Sequence, residues 1–379
     1  MDIMCFVPLL LSNLFFQLAN KCLPIFVSIF LLDKGLTKFQ ILFIYIFFHL
    51  GSLTKSYVYK SSKDSLRNLL ISINILIIVC VLEYRVFRDI LLFLIVFIQG
   101  ICDIISKNSF QNMIYSVSHN NKDTAFFGRV VSFFYSCTGV IISLIVYIFQ
   151  STSVTISIGV VAFAISNIML LMQNTKAFVY RNFQYHNKSI NIFYIYRYNF
   201  IGALLLFLVS FFTNSFLQIL PIILKQKYFI RSYIFRIVFF TNLGILLAHF
   251  VYIRFNGVFY KTIKKLCLCL IFLYINAMFV LTTKYKVLLE VITLLIGFIH
   301  TILSIDIRNI LQKELEAEGQ EVLIGYNQIL HVAAIISLIF SFLFSQYLQY
   351  GFFLFYTCII ILILFLYSFK EYLHRQIYE

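Results

Sequence analysis

Long apolar runs alternate along the chain with short polar connections. A run of about 20 apolar residues is long enough to cross the hydrocarbon core of a bilayer as one α-helix. In the first half of the chain the pattern predicts helices near 3–31, 39–58, 68–84, 86–105, 130–149 and 152–172. In the second half it predicts helices near 199–224, 232–254, 265–283, 287–307, 322–346 and 350–369. The predicted fold class is therefore all-α integral membrane, with twelve transmembrane helices.

The longest polar connection falls near the middle of the sequence, at residues 173–198. It contains Lys, Arg, Asn and His side chains and no apolar run of spanning length. Polar stretches of this kind mark connections between elements. We therefore expect a six-helix half at 1–172, a central loop at 173–198 and a second six-helix half at 199–379.

Composition agrees with a membrane chain and excludes several other classes. Hydrophobic residues make up 61% of the sequence and charged residues 12%, whereas soluble domains have roughly 45–50% apolar and about 25% charged residues. The net charge of +15 is dispersed among short loops, so we expect no nucleic-acid partner. The eight cysteines lie almost wholly in apolar stretches without a CxxC pair or zinc-ligand spacing, so we expect no metal and no cofactor.

Positive charge is unevenly divided between alternate loops. Nineteen Lys and Arg residues lie in one set of connections and ten in the other, with Lys21 alone inside a predicted helix. Cytoplasmic loops retain an excess of positive charge, so both termini are expected in the cytoplasm, and the first apolar run lacks the basic flank of a cleaved signal peptide. We expect a monomeric multi-pass protein of the bacterial inner membrane, with lipid around it.

The two halves share features in the same order. A shift of 197 residues aligns Leu23-Pro24-Ile25 with Leu220-Pro221-Ile222, Gly100 with Gly297, Gln17 with Asn214, and Lys21 with Gln218. A shift of 201 residues aligns the segment that begins at Lys107 with the one that begins at Arg308. Chance matches occur in low-complexity apolar sequence, but several in order favour parallel six-helix repeats. In such an architecture the solute site forms between the halves near the bilayer midplane.

This arrangement resembles the major facilitator superfamily over the whole chain. Gly51-Ser52-Leu53-Thr54-Lys55 is similar to the family's Gly-x-Leu-x-Asp loop, with Lys55 in place of the aspartate. Gln99-Gly100 is similar to the end of its Arg-x-x-Gln-Gly signature, with Val96 in place of the arginine. The segment from Arg308 to Gln328 resembles bacterial exporters of drugs and metallophores. The resemblance implies alternating access and gating or loop roles for these motifs, although Lys55 leaves the charge-relay contact of that loop unsupported.

Polar side chains inside a bilayer are costly unless they face a cavity or a partner, so each is a candidate site residue. The candidate solute-binding residues are Asn13, Gln17, Asn20 and Lys21 in the first helix, Asn214 and Gln218 in the seventh, and Asn327, Gln328 and His331 in the eleventh. Asn13, Gln17 and Asn20 are spaced along one helical stripe, with Lys21 at its edge. Lys21 is expected to attract an anionic group, and its alternative is snorkelling to the outer interface.

Four further ionisable residues are candidates for coupling or gating. Glu290 and His300 could bind a proton in an ion-coupled carrier; the alternatives are an interfacial carboxylate and a packing histidine. Asp103 and Asp306 come just before Lys107 and Arg308, where two predicted helices end, and are expected to form gate or loop ion pairs. Ordinary interfacial solvation is the alternative for both.

The pattern as a whole predicts a secondary active transporter of a small, anionic or polar organic solute. Export of a metabolite such as a siderophore and uptake of a nutrient anion are both open. An integral-membrane transferase or polymerase on lipid-linked substrates is the alternative of another class, but the sequence has no HExxH, GxSxG or Walker motif, so we expect no enzyme. A transport-inactive sensor with the same fold is a third possibility.

Overall fold

The computed structural model describes residues 3–22, 28–58, 65–85, 90–117, 121–172, 192–198, 200–226, 231–255, 286–314 and 319–343. In this part of the chain every regular element is an α-helix. The helices are α1 (Ile3–Lys21), α2 (Ser28–Asp33), α3 (Lys38–Val58), α4 (Ser65–Arg85), α5 (Ile90–Val117), α6 (Asn121–Phe149), α7 (Thr152–Leu171), α8 (Ile192–Tyr198), α9 (Phe200–Gln226), α10 (Arg231–Phe255), α11 (Lys286–Glu314) and α12 (Gly319–Leu343).

Several of these helices can cross a membrane. Among the described residues six are long and apolar enough to do so, namely those that contain Leu66–Glu83, Ile90–Phe110, Val131–Phe149, Thr152–Leu171, Ser232–Arg254 and Lys286–Ile307. Large apolar side chains such as Ile78, Ile90, Val161 and Val287 are exposed on them, while many polar side chains are buried. This distribution suits a protein whose outer surface contacts lipid.

The connection between α2 and α3 shows how local sequence sets helix ends. Gly35 has a φ of 84° and its N–H donates to the Leu32 carbonyl, while the Leu36 N–H donates to the Leu31 carbonyl. This is a glycine C-cap in which two otherwise unpaired carbonyls accept hydrogen bonds. Thr37 and Gln40 then bond reciprocally at the start of α3, because the Thr37 N–H donates to Gln40 Oε1 and the Gln40 N–H donates to Thr37 Oγ1.

Two compact units account for the chain. The first comprises Met1–Ser189 with Leu220–Phe239, and the second comprises Ile190–Ile219 with Phe240–Glu379. The break between Ser189 and Ile190 falls inside the predicted central segment. In the first unit α3 and α4 pack against α5, and α1 packs against α7 and α6.

Small residues hold the α3–α5 and α10–α11 pairs close together. A Cβ added to Gly51 would lie 2.1 Å from the Phe97 carbonyl oxygen, and one added to Gly100 would lie 2.1 Å from that of Phe48. In the second unit a Cβ on Gly244 would lie 2.0 Å from the Leu294 carbonyl oxygen, and a Cβ on Gly297 would lie 2.4 Å from the Thr241 carbonyl oxygen. Small residues allow such close backbone approach between membrane helices.

The helix ends differ from the predicted ones in several places. The predicted first helix at 3–31 is described as α1 and α2, with α1 ending at Lys21, where the Cys22 N–H turns back to the Ala19 carbonyl. This i→i+3 hydrogen bond tightens the last turn of α1, as is common where a helix ends. Part of the predicted central loop forms α8, while the predicted helices at 265–283 and 350–369 lie outside the described residues.

Candidate functional site

A strip of amide side chains follows the buried face of α1. Asn13, Gln17 and Asn20 are at most 7% exposed. Gln17 Nε2 donates to Asn13 Oδ1 at 3.3 Å, one helical turn away. Within the described part of the chain, Gln17 Oε1 and Asn20 Oδ1 accept no hydrogen bond. These two buried oxygens are therefore acceptors that a donor on a bound solute could satisfy.

Asn20 connects α1 to a half-buried ion pair on α5. Its Nδ2 donates to Asp103 Oδ1 at 2.5 Å, and Asp103 Oδ2 lies 2.7 Å from Lys107 Nζ. Asp103 thus forms an ion pair with Lys107. Asp103 does not end its helix, however, because α5 continues to Val117 and the Asp103 side chain is fully buried. Lys107 compensates the negative charge of the Asp103 carboxylate within α5. A role of Asp103 in gating stays a prediction.

Lys21 lies beside this network without a carboxylate. Its Nζ donates to the main-chain oxygen of Tyr135 at 3.0 Å and lies 4.0 Å from the centroid of the Tyr135 ring. The ion pairs of the described residues, Asp103 with Lys107 and Asp33 with Lys225, do not include it. A carbonyl dipole and an aromatic face stabilise a cation but do not cancel its charge. Because Asp103 is paired with Lys107, Lys21 has no carboxylate partner among the described residues.

A second polar strip lies on α5. Gln99, Asp103 and Ser106 are spaced by four and three residues, which places them on one helix face. All three are fully buried, and neither amide atom of Gln99 nor the hydroxyl of Ser106 has a hydrogen-bond partner among the described residues. The Phe16 and Phe110 rings, 5.3 Å apart, pack α1 against the same helix. We call Asn13, Gln17, Asn20, Lys21, Gln99, Asp103, Ser106 and Lys107, together with Tyr135, the polar cluster of the first unit.

Part of this cluster was visible in the sequence. Its four α1 residues were expected to bind solute, whereas Gln99 and Asp103 were assigned to gating. Tyr135 was missed because it binds Lys21 through a main-chain oxygen and a ring face, neither of which leaves a sequence pattern. Ser106 could have been found from its spacing with Gln99 and Asp103.

The glycines of the gating motifs have a packing role in the structure. Gly51 lies inside α3 rather than in a loop, because that helix continues to Val58. Gly51 and Gly100 form the α3–α5 crossing described above. Ser52 Oγ adds a hydrogen bond to the Gly100 carbonyl at 3.0 Å. The side chain of Lys55 lies outside the described residues.

The candidate solute-binding residues of the second unit lie on α9 and α12. Asn214 and Gln218 belong to α9, but their side chains are outside the described part of the structure. Gln328 is buried, and its Oε1 accepts the N–H of Ile192 at 2.8 Å, so it satisfies a free N–H at the start of α8. Asn327 and His331 are partly exposed on α12.

The coupling and gating candidates on α11 are spread along its length. Glu290 is buried near the start of the helix, and His300 Nε2 lies 3.1 Å from Ser304 Oγ. Asp306 is buried and accepts a hydrogen bond from Tyr252. It lies within α11, which ends at Glu314, so it does not close the helix as predicted. The Arg308 side chain is not among those described.

Glu83 on α4 is a buried acid that sequence reasoning missed. It is 1% exposed, and neither carboxylate oxygen has a hydrogen-bond partner among the described residues. Its position in an apolar run, without a basic residue one turn away on the same helix, was the available signal. In the described ranges no group of three or more His, Cys, Asp and Glu side chains could hold a metal ion.

The chain was compared with known proteins. No protein-family model matches the sequence, and no curated protein matches it either. Solved structures do match. The nucleoside transporter NupG aligns with a TM-score of 0.68 over 97% of this chain and 98% of its own, at 15% sequence identity. A point mutant of NupG aligns with a TM-score of 0.69 over 95% of this chain and 98% of its own, at 13% identity.

These similarities show the fold. The chain shares the all-α membrane fold of these structures over nearly its whole length, as the sequence predicts, and six of its described helices are long and apolar enough to cross a membrane. It is a multi-pass membrane protein with a transporter fold. Both of the solved structures described above are of a nucleoside transporter.

Proposed function

We propose that this protein is a secondary active transporter that moves a small polar organic solute across the membrane by alternating access. The observation that carries the proposal is the polar cluster of the first unit, a group of amide, hydroxyl and charged side chains buried inside apolar membrane helices. Buried polar atoms are normally hydrogen-bonded. Here several amide and hydroxyl atoms have no partner among the described residues, as expected of groups that bind a solute.

The first candidate substrate is a nucleoside. The two similar solved structures are of a protein named as a nucleoside transporter. A nucleoside has ribose hydroxyls and base amide groups, which pair with the amide side chains of Asn13, Gln17 and Gln99. The Tyr135 ring, which is 40% exposed, offers a face on which a base could stack.

The second candidate is an anionic organic solute, such as a siderophore for export or a nutrient anion for uptake. Lys21 favours it, because this ammonium has no carboxylate partner among the described residues. A carboxylate or phosphate group would form a charge-assisted hydrogen bond with Lys21 Nζ. For either substrate we propose that the protein lies in the inner membrane with both termini in the cytoplasm.

Uptake into proteoliposomes tests the proposal and separates the candidates. The purified protein is reconstituted, and entry of labelled uridine, citrate or a ferric siderophore is measured with and without an imposed proton gradient. Vesicles that contain the Lys21→Ala variant are compared with wild type. A nucleoside carrier takes up uridine, and Lys21→Ala changes this modestly, whereas an anion carrier takes up the charged probe and loses that uptake in Lys21→Ala. Failure to move any probe in either direction would contradict transport of both candidate classes.

A further inference from the structure

We propose that Glu83 is a proton-binding site of the first unit, separate from the polar cluster, and that its protonation is coupled to the transport cycle. The inference rests on the proposed transport function for the coupling, but not for the proton site itself. Glu83 belongs to the membrane-spanning part of α4 and is almost completely buried. Neither of its oxygens has a hydrogen-bond partner in the described part of the chain.

No described charge compensates this carboxylate. Helix α4 packs against α5 and α7. Helix α7 has no ionisable residue between Thr152 and Leu171, and α5 has none from Ile90 until Cys102. Among the described side chains of α4, the nearest ionisable groups are the Cys80 thiol, one turn before, and the exposed Arg85.

The Cys80 thiol in turn lies near Cys22 at the end of α1. Gly159 of α7 also packs there, since a Cβ at this position would lie 2.8 Å from the Cys22 Cβ. Within the described part of the chain, the titratable groups traced around Glu83 are therefore thiols and not bases. Lys21 is the nearest basic residue of α1. Its Nζ donates to the main-chain oxygen of Tyr135, and the ion pairs of the described residues do not join it to Glu83.

A carboxylate is strongly disfavoured in such an environment, and a buried carboxyl group escapes this cost by taking up a proton. In this conformation Glu83 is therefore a neutral carboxylic acid. A rearrangement that admits water to α4 removes the cost. The carboxyl O–H bond then breaks, the electron pair stays on the carboxylate, and water accepts the proton. Reburial of Glu83 requires a proton again, so one proton is bound and released in each cycle.

This site differs from the coupling residues that the sequence suggested. His300 already has the hydroxyl of Ser304 at hydrogen-bond distance. Glu290 also has interactions with its surroundings. Glu83 is the buried acid for which both oxygens lack a partner among the described residues, so its burial depends most directly on protonation.

The first test reads the protonation state and needs no substrate. Infrared spectra of the full-length protein in lipid are recorded for wild type, Glu83→Gln and the exposed control Asp33→Asn. A protonated carboxylic acid has a carbonyl band that an ionised carboxylate lacks. We expect this band in wild type and Asp33→Asn, and its loss in Glu83→Gln. If Glu83→Gln does not fold, Glu83→Asp keeps the acid and shifts the band. If the carboxylic-acid bands of the Glu83 variants are the same as those of wild type, the proposal is overturned.

The second test reads coupling with uridine as the probe. Glu83→Gln resembles the permanently protonated residue, so we expect it to exchange external for internal uridine at the wild-type rate while it loses accumulation driven by a proton gradient. Equal gradient-driven accumulation in Glu83→Gln and wild type overturns the coupling. If wild-type vesicles do not take up uridine, the nucleoside proposal fails, and the infrared band alone decides whether Glu83 binds a proton.

Discussion

Gly51 and Gly100 meet where α3 crosses α5, and each occupies a place in which a side chain would collide with the backbone of the other helix. A Cβ on either glycine would lie 2.1 Å from an opposing carbonyl oxygen. Gly244 and Gly297 have the same relationship across α10 and α11. Gly100 and Gly297 are also equivalent in the sequence repeat, so the two halves share a packing feature as well as a spacing.

The glycine crossings should be intolerant of any side chain. We expect Gly100→Ala and Gly297→Ala each to destabilise the folded protein by about 1–3 kcal/mol or more, because a backbone carbonyl has less freedom to move than a side chain. Thermal unfolding in detergent, followed by the amount of monodisperse protein that survives heating, measures the effect. The control is Val161→Ala, at an exposed apolar position. Two glycine variants as stable as this control would contradict the close packing.

The half-buried ion pair on α5 should be sensitive to the loss of one partner. We expect Asp103→Asn to lower the free energy of unfolding by about 1.5–3 kcal/mol, because it weakens a charge-assisted hydrogen bond and leaves the Lys107 ammonium without its carboxylate. The double variant Asp103→Asn with Lys107→Met removes both charges and should recover part of the loss. Unfolding of the two single variants and the double variant gives their interaction energy. Additive effects would show that the two side chains are not coupled.

The ion pair between Asp33 and Lys225 should matter much less. Lys225 Nζ lies 3.1 Å from Asp33 Oδ1, but both side chains are substantially exposed. We expect their interaction energy in a double-mutant cycle of Asp33→Asn and Lys225→Met to be about 0.2–1 kcal/mol and to fall further at high salt. An energy as large as that of the α5 pair would indicate that this pair is shielded from solvent in the membrane.

The contact of Lys21 with Tyr135 can be divided into its two parts. Because Lys21 Nζ bonds to the main-chain oxygen of Tyr135, substitution of the side chain leaves that bond and removes only the ring. We expect Tyr135→Phe to transport like wild type and Tyr135→Leu to bind solute more weakly, with a higher KM and little change in maximal rate. Initial uptake rates over a range of solute concentrations make this comparison. Equal KM values for the Leu and Phe variants would show that the Tyr135 ring does not contribute to solute binding.

Gln328 should stabilise α8 and have little direct effect on solute binding. Its Oε1 accepts the Ile192 N–H, so Gln328→Leu leaves a buried donor unpaired and is expected to cost about 1–3 kcal/mol of stability. Glu at this position keeps an acceptor and should preserve more of the stability. Thermal unfolding and the KM for uptake, measured on the same preparations, distinguish this role from solute contact. A large change in KM with unchanged stability would indicate that Gln328 contacts the solute directly.

The sequence by itself determined the class of fold. Apolar runs of spanning length, the polar centre and the repeat that aligns Gly100 with Gly297 were sufficient to predict an all-α membrane protein of twelve helices in two halves. Each of these signals is local or periodic. A helix in lipid makes its backbone hydrogen bonds within itself, and the position of a residue on the helix decides whether its side chain is buried or exposed. The polar strip of Asn13, Gln17 and Asn20 could be read in the same way.

Only the tertiary structure decided which polar groups have partners. Asp103 is neutralised by Lys107 and bonded to Asn20, Gln328 binds the start of α8, and Gly51 serves a helix crossing instead of a loop. Glu83, which lies in an apolar run of the sequence, is a buried acid without a described partner. These outcomes depend on which helices pack together and in what register, and residues far apart in the chain set that packing. A periodic pattern along one helix cannot specify the side chains that face it from another.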